Sequence, residues 1–112
     1  MATALATKLH HLTETFALTQ EDVAEIVGST ARSVGRWATD EAVPQRLSRQ
    51  RLIELAYVAQ AAATVLEPDD AHMWLMSPNR LLDHDSPAAR IRAGDYRSVL
   101  ALLEALADGI VT

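Results

Sequence analysis

The chain of 112 residues contains no cysteine. That excludes a disulfide framework and any thiolate metal site, and it fits a reducing cytoplasm. Aromatic residues make up only 4% of a sequence that is 49% hydrophobic, so Ala and Leu supply most of the apolar surface. Gly and Pro number four each and fall between the periodic segments rather than within them, with Gly35 the exception. Interruptions so few and so placed point to an all-α protein. No apolar run approaches the ~20 residues that a membrane-spanning helix needs. Residues 1–16 carry Lys8, His10, His11 and Glu14 among their apolar positions, so they read as a helix and not as a signal peptide.

Catalytic and metal signatures are also lacking. No serine sits in a G-x-S-x-G elbow, and there is no glycine loop of the kind that cradles phosphate. His84 lies between Asp83 and Asp85, and His72 follows Asp69 and Asp70, but neither spacing matches a metal-ligand set. The expectation is a non-enzyme with no metal and no cofactor.

Charge is uneven along the chain. Within the net −5, residues 29–51 place Arg32, Arg36, Arg46, Arg49 and Arg51 against Asp40 and Glu41, a local +3. Residues 1–28 set one lysine against four acids, and residues 52–112 set four arginines against nine acids. A basic segment between acidic flanks keeps nucleic acid open as a partner.

The most apolar stretch is 46–66. Leu52, Leu55, Ala56, Ala59, Ala62, Ala63 and Leu66 recur at three- and four-residue steps, with Ile53, Tyr57, Val58 and Ala61 on other faces. Only Glu54 and Gln60 look made for water. Two readings stand: an ordinary core helix, or a spine that joins two modules and also carries a self-association face. Arg46, Arg49 and Arg51 crowd its first turns against the helix dipole, which suggests an outside partner with negative charge.

Before that helix, Leu5, Leu9, Leu12 and Phe16 mark an amphipathic helix over 4–16. Thr19 is an N-cap with Asp22 at capping-box spacing, and the helix it starts stops at Gly28. Ser29 or Thr30 caps the next, which turns Val34 and Trp37 inward. Two short helices joined through a Gly-containing turn are the helix-turn-helix layout. Counting from Gln20, small Ala24 is fifth and Gly28 ninth, with Val23, Val27, Val34 and Trp37 at buried positions. This resembles the helix-turn-helix of Xre-type bacterial repressors. A plain helical hairpin is the alternative. In the DNA-binding reading, Arg32, Ser33 and Arg36 face a major groove, with Arg46 and Arg49 as further phosphate contacts. Gly35 inside the second helix weakens it by roughly 1 kcal/mol relative to Ala.

After the central helix, Pro68 occupies a first helical position with Asp69 and Asp70 beside it. Ser77-Pro78-Asn79 ends that helix, and Arg80-Leu81-Leu82 gives one more turn. Ser86-Pro87 opens a short helix over 87–93 closed by Gly94. Asp95 caps a last helix striped by Tyr96, Val99, Leu100, Leu103, Leu106 and Ala107, which Asp108-Gly109 stops.

The order W-L-x-x-P-N-x-x-L (74–82), S-P (86–87), A-G-D-Y (93–96) and a Val/Leu-rich helix ending at Gly109 resembles the C-terminal domain of Xre/MbcA/ParS-type antitoxins. S-T-A-R-S-V-G-R-W (29–37), Pro44 and R-L-I-E-L-A-Y (51–57) resemble the same family, so the likeness spans the whole chain. It implies a helix-turn-helix module at 1–45, a connecting and dimerising helix at 46–66, and a toxin-binding domain at 67–112. It implies as partner a RES-domain toxin that destroys NAD, whose active-site entrance the C-terminal end covers. It also implies a homodimer within a larger assembly and autoregulation through operator DNA.

Trp74, Pro78, Asn79, Arg80, Gly94, Gly109, Ile110, Val111 and Thr112 are the toxin-binding candidates. An NAD pocket holds a diphosphate and so presents positive charge. The Thr112 carboxylate is an anion that such a pocket would accept, with Ile110 and Val111 filling apolar space. Each candidate also has a plainer reading: Trp74 as core, Pro78 and Gly94 as turn shapers, Asn79 as a cap. The rival functions are a stand-alone repressor whose C-terminal half only dimerises, and a structural adaptor.

Overall fold

Among the described residues, five of the seven α-helices begin at a side chain that fills one of the helix's own free amides. Thr3 accepts from the Ala6 amide, Thr19 from Asp22, Thr30 from Ser33, Ser86 from Ala89 and Asp95 from Ser98. Each such cap stabilises its helix by about 1 kcal/mol. At Thr19 the box is complete, because the Asp22 carboxylate accepts in return from the Thr19 amide at 3.0 Å.

The structure, a computed structural model, describes residues 3–109. The helices are α1 (Ala4–Thr15), α2 (Gln20–Val27), α3 (Ala31–Ala38), α4 (Arg46–Ala62), α5 (Pro68–Met76), α6 (Pro87–Arg92) and α7 (Tyr96–Ala107), with a 3₁₀ turn at Arg80–Leu82. No strand occurs among the described residues, so the all-α expectation holds. The two helices without a side-chain cap, α4 and α5, start after Gln45 and Glu67, and Pro68 supplies the preset φ at the head of α5.

The central helix departs from its expected form in three ways. It ends at Ala62 and not at Leu66. The Leu66 amide still reaches the Ala62 carbonyl at 2.8 Å, but Thr64 turns its hydroxyl onto the Ala61 carbonyl, and Glu67, which precedes a proline, is extended. Its rotation also differs. Glu54, expected in water, is buried, whereas Ile53 and Tyr57 are 44% and 61% exposed. The buried side is set by α1, α2, α6 and α7, which all pack on α4, and not by hydrophobic periodicity alone. Finally, Arg51 does not face an outside anion. Its Nη1 donates to Glu54 Oε1 at 3.0 Å and its Nε to the Arg92 carbonyl at 3.2 Å, while Gln50 donates to the other Glu54 oxygen at 2.9 Å. A carboxylate this buried is tolerated because both its oxygens are bonded.

One apolar core runs through the whole fold. It joins Leu9, Leu12 and Phe16 of the N-terminal segment to Val23, Ile26 and Val34, passes through Leu52, Leu55 and Val58 of α4, and continues to Leu75, Ile91, Val99 and Leu103. Helix α2 lies against α3, α4 and α6, so the helix-turn-helix pair shares its packing with the C-terminal half.

Candidate functional site

The α2–turn–α3 unit has the geometry its residues suggest. Gly28 takes the left-handed conformation at φ 73°, and the Ser29 amide closes onto the Ala24 carbonyl at 2.9 Å. A Cβ at Gly35 would lie 3.1 Å from Gln20 Oε1 at the head of α2, the mobile end of an exposed side chain. Val34 and Trp37 are buried as expected. Arg32, Arg36, Arg46 and Arg49 are exposed. Arg36 has only a long 4.0 Å contact with Glu41. Ser33 is half-buried, and its hydroxyl accepts from Thr30 at 3.0 Å, so part of its bonding capacity is used inside the cap.

Of the C-terminal signature residues, Pro78, Asn79 and Arg80 lie together in the loop that follows α5. The Asn79 side chain accepts from the Leu81 amide at 2.9 Å, its carbonyl accepts from the Leu82 and His84 amides, and its own amide donates to the Asp85 carbonyl at 3.0 Å. Asn79 therefore acts as a cap and closes the loop on itself. Pro78 and Arg80 are exposed, while Trp74 is half-buried against the core. Gly94 adopts φ 92°, and a Cβ there would meet Arg51 Nη2 at 2.9 Å, so it gives the Arg51 guanidinium room to reach the end of α6. Gly109 is left-handed at φ 71° with open space around it. Ile110, Val111 and Thr112 lie outside the described residues.

Hydrophobic spacing does not single out Arg90, yet it is the hub of this half. It donates from Nε to Asp85 at 2.9 Å, from Nη1 to Asp95 at 3.1 Å and from Nη2 to the Leu82 carbonyl at 2.8 Å, with Asp83 at 3.6 Å. The hydrogen bond to Asp85 is foremost in raising the Arg90 pKa. Asp95 is held below its ordinary value, first by the Ser98 hydroxyl and amide and then by Arg90. The legible signal is three aspartates, Asp83, Asp85 and Asp95, flanking Arg90 in the sequence, though Arg80, Arg92 and Arg97 lie as near and the spacing does not choose among them.

A second tie crosses the fold. His72 on α5 meets Asp22 on α2, Nε2 to Oδ2, at 3.2 Å. Burial pushes the Asp22 carboxyl up, but its bonds to Thr19 and His72 outweigh that and leave it below the usual carboxylate range. Neither His72 nor His84 belongs to a metal-binding cluster, since no group of three or more possible ligands occurs among the described residues. No described helix is long and apolar enough to cross a membrane.

Comparison with known proteins bears directly on these features. The family model for the antitoxin Xre/MbcA/ParS C-terminal toxin-binding domain matches residues 60–109, the segment that holds the Asn79 loop and Arg90. The mycobacterial cidal antitoxin MbcA of Mycobacterium tuberculosis (strain ATCC 25618 / H37Rv) is 52% identical over 95% of this chain and 94% of its own length. The chain belongs to the MbcA antitoxin family. MbcA of Mycobacterium bovis (strain ATCC BAA-935 / AF2122/97) matches over the same shares at the same 52% identity. A chain in the crystal structure of the M. tuberculosis MbcT–MbcA toxin–antitoxin complex superposes with a TM-score of 0.89, at 50% identity, across 99% of this chain and 100% of that one. The all-helical fold is thus that of an antitoxin of a toxin–antitoxin system.

Proposed function

We propose that this antitoxin belongs to a type II system and acts in the cytoplasm by neutralising a RES-domain toxin that consumes NAD. In this reading residues 67–112 seat on the toxin, and 110–112 close its active-site entrance. One observation carries it: a toxin-binding domain matched at 60–109 sits in a chain that aligns end to end with a chain of the MbcT–MbcA complex. The division of labour follows the expected boundaries, with 1–45 for operator DNA, 46–66 for connection and self-association, and 67–112 for the toxin. Two surfaces support the first two roles. Arg32, Arg36, Arg46 and Arg49 are exposed around the helix-turn-helix, and Ile53 and Tyr57 are exposed on α4 beside α1, as a homodimer face requires.

The test is NAD consumption by the toxin encoded beside this chain, with and without a stoichiometric amount of it. Suppression of turnover together with a stable complex supports the reading, and deletion of 110–112 is then expected to weaken inhibition at least tenfold with the fold unchanged. Undiminished turnover and no complex would leave a helix-turn-helix repressor, which operator binding at stated salt would test.

A further inference from the structure

The loop 79–85 is unusually constrained for a surface segment. Asp83 and His84 are consecutive non-glycine residues with left-handed backbone, at φ 55° and 70°. Such strain persists only where surrounding contacts over-determine it, and it gathers at functional positions. Here the contacts are explicit. Asn79 joins the Leu81, Leu82 and His84 amides and the Asp85 carbonyl, the Asp85 amide donates to the Leu82 carbonyl, and Arg90 grips that same carbonyl and the Asp85 carboxylate from below.

The pinned loop sorts two leucines. Leu82 is buried at 3%, whereas its neighbour Leu81 stands 54% exposed beside exposed Arg80. A single exposed leucine is common on protein surfaces. One held in a fixed geometry is nonetheless suited to docking, because an apolar anchor that is already ordered binds at a smaller entropic cost.

We propose that the 79–85 loop is a preformed knob whose Leu81 side chain enters an apolar pocket on the toxin, with Arg90 as its positioning residue. The inference rests on the toxin-binding reading above. The occupant is a toxin and not a second copy of this chain, because the loop lies inside the segment matched to a toxin-binding domain. Arg90 touches no partner in this arrangement. It acts by fixing the Leu82 carbonyl and hence the direction of Leu81.

The test measures the affinity of the co-encoded toxin, released from its purified complex, for the full antitoxin and its variants. Leu81→Asp is expected to weaken binding at least tenfold while the thermal midpoint stays unchanged. Arg90→Gln is expected to weaken binding about tenfold in the otherwise native chain but less than twofold when combined with Leu81→Asp. A role confined to folding would give additive losses, so this coupling separates positioning from general stability. Should Arg90→Gln fold poorly, Arg90→Lys takes its place in the cycle, since it keeps the charge beside Asp85 and Asp95 but not the fork that also reaches the Leu82 carbonyl. Binding by Leu81→Asp within twofold of native overturns the knob, and additive losses overturn the role of Arg90. Absence of any complex with the native chain overturns the toxin-binding reading itself, a result distinct from either.

Discussion

The arginines around the helix-turn-helix stand in solvent, whereas in the C-terminal half one arginine, Arg90, is drawn into the fold while Arg80, Arg92 and Arg97 stay exposed. In the helix-turn-helix half, Arg32, Arg46 and Arg49 stand in solvent, and Arg36 has only a loose contact with Glu41. In the C-terminal half, Arg90 is drawn into a network with Asp83, Asp85 and Asp95, and Arg51 reaches from α4 over Gly94 to the end of α6. The N-terminal half takes its shape from apolar packing and hydroxyl caps, which leaves its arginines available to an anionic partner. In the C-terminal half, arginine donors fill carbonyls that short helices and loops leave open, at Leu82 and Arg92. An arginine count therefore says little about partners until it is known which guanidiniums are already engaged.

If the halves differ in this way yet share one core, a core mutation should fell both together. Leu55→Ala removes a fully buried side chain from the helix common to both, and about 2–5 kcal/mol of stability should go with it. Urea unfolding followed by circular dichroism and by the two tryptophans should show one transition at a lower midpoint. Two separated transitions would mean that the halves are independent.

Glycines probe the contrast at closer range. Gly28 and Gly94 are both left-handed, but only Gly94 has a guanidinium where a Cβ would sit. Gly28→Ala should cost about 1–2 kcal/mol from backbone strain alone. Gly94→Ala should cost more, up to about 3 kcal/mol, because Arg51 must also withdraw from the Arg92 carbonyl. Equal losses in thermal unfolding would show that the Arg51 contact contributes little.

What the sequence makes legible is local. Thr19 with Asp22, Pro68, Ser86-Pro87 and Asp95 lie within four residues of what they cap, so spacing alone reveals them. Buried Val34 and Trp37 follow from the helix-turn-helix pattern. What stays hidden depends on contacts across the chain. The Arg51 bond to Arg92 spans 41 residues and the His72–Asp22 pair spans 50, and no periodicity encodes either. Glu54 escapes the pattern for a related reason. A charged residue on an apolar helix reads as the solvent side until Gln50 and Arg51, one turn back on the same helix, are seen to satisfy it. The signature at 74–96 is legible as a pattern before its physics is, since the pattern names Asn79 and Gly94 but not Arg90, which bonds the same loop as Asn79, or Arg51, which Gly94 admits.

The outward arginines should act on DNA without touching the fold. Arg32→Ala and Arg49→Ala each remove an exposed cation, so stability should stay within about 0.5 kcal/mol of native. Operator affinity should fall, and the slope of log affinity against log salt should decrease by about one for each phosphate left without its arginine. Inhibition of the toxin should not change. A mutant that loses inhibition as well would place these arginines in the toxin interface and break the contrast between the halves.

The smallest expected effect concerns the pair that ties the halves together. Asp22→Ala removes the acceptor for the Thr19 amide and the partner of His72, a loss of about 1 kcal/mol near neutral pH. Its pH dependence has a defined sign. The Asp22 pKa lies below the ordinary 3.8 in the folded chain, so unfolding takes up protons as that carboxylate returns to its usual value. The stabilisation is therefore fully present well above pH 3.8 and is lost as the pH falls through 3.8 and on through the lower folded value. Native and mutant stability curves, measured by urea unfolding from about pH 7 downward, should differ most at the upper end and converge below pH 3.8. Curves that stay parallel to the acid end would assign the loss to packing around α2 and not to the carboxylate.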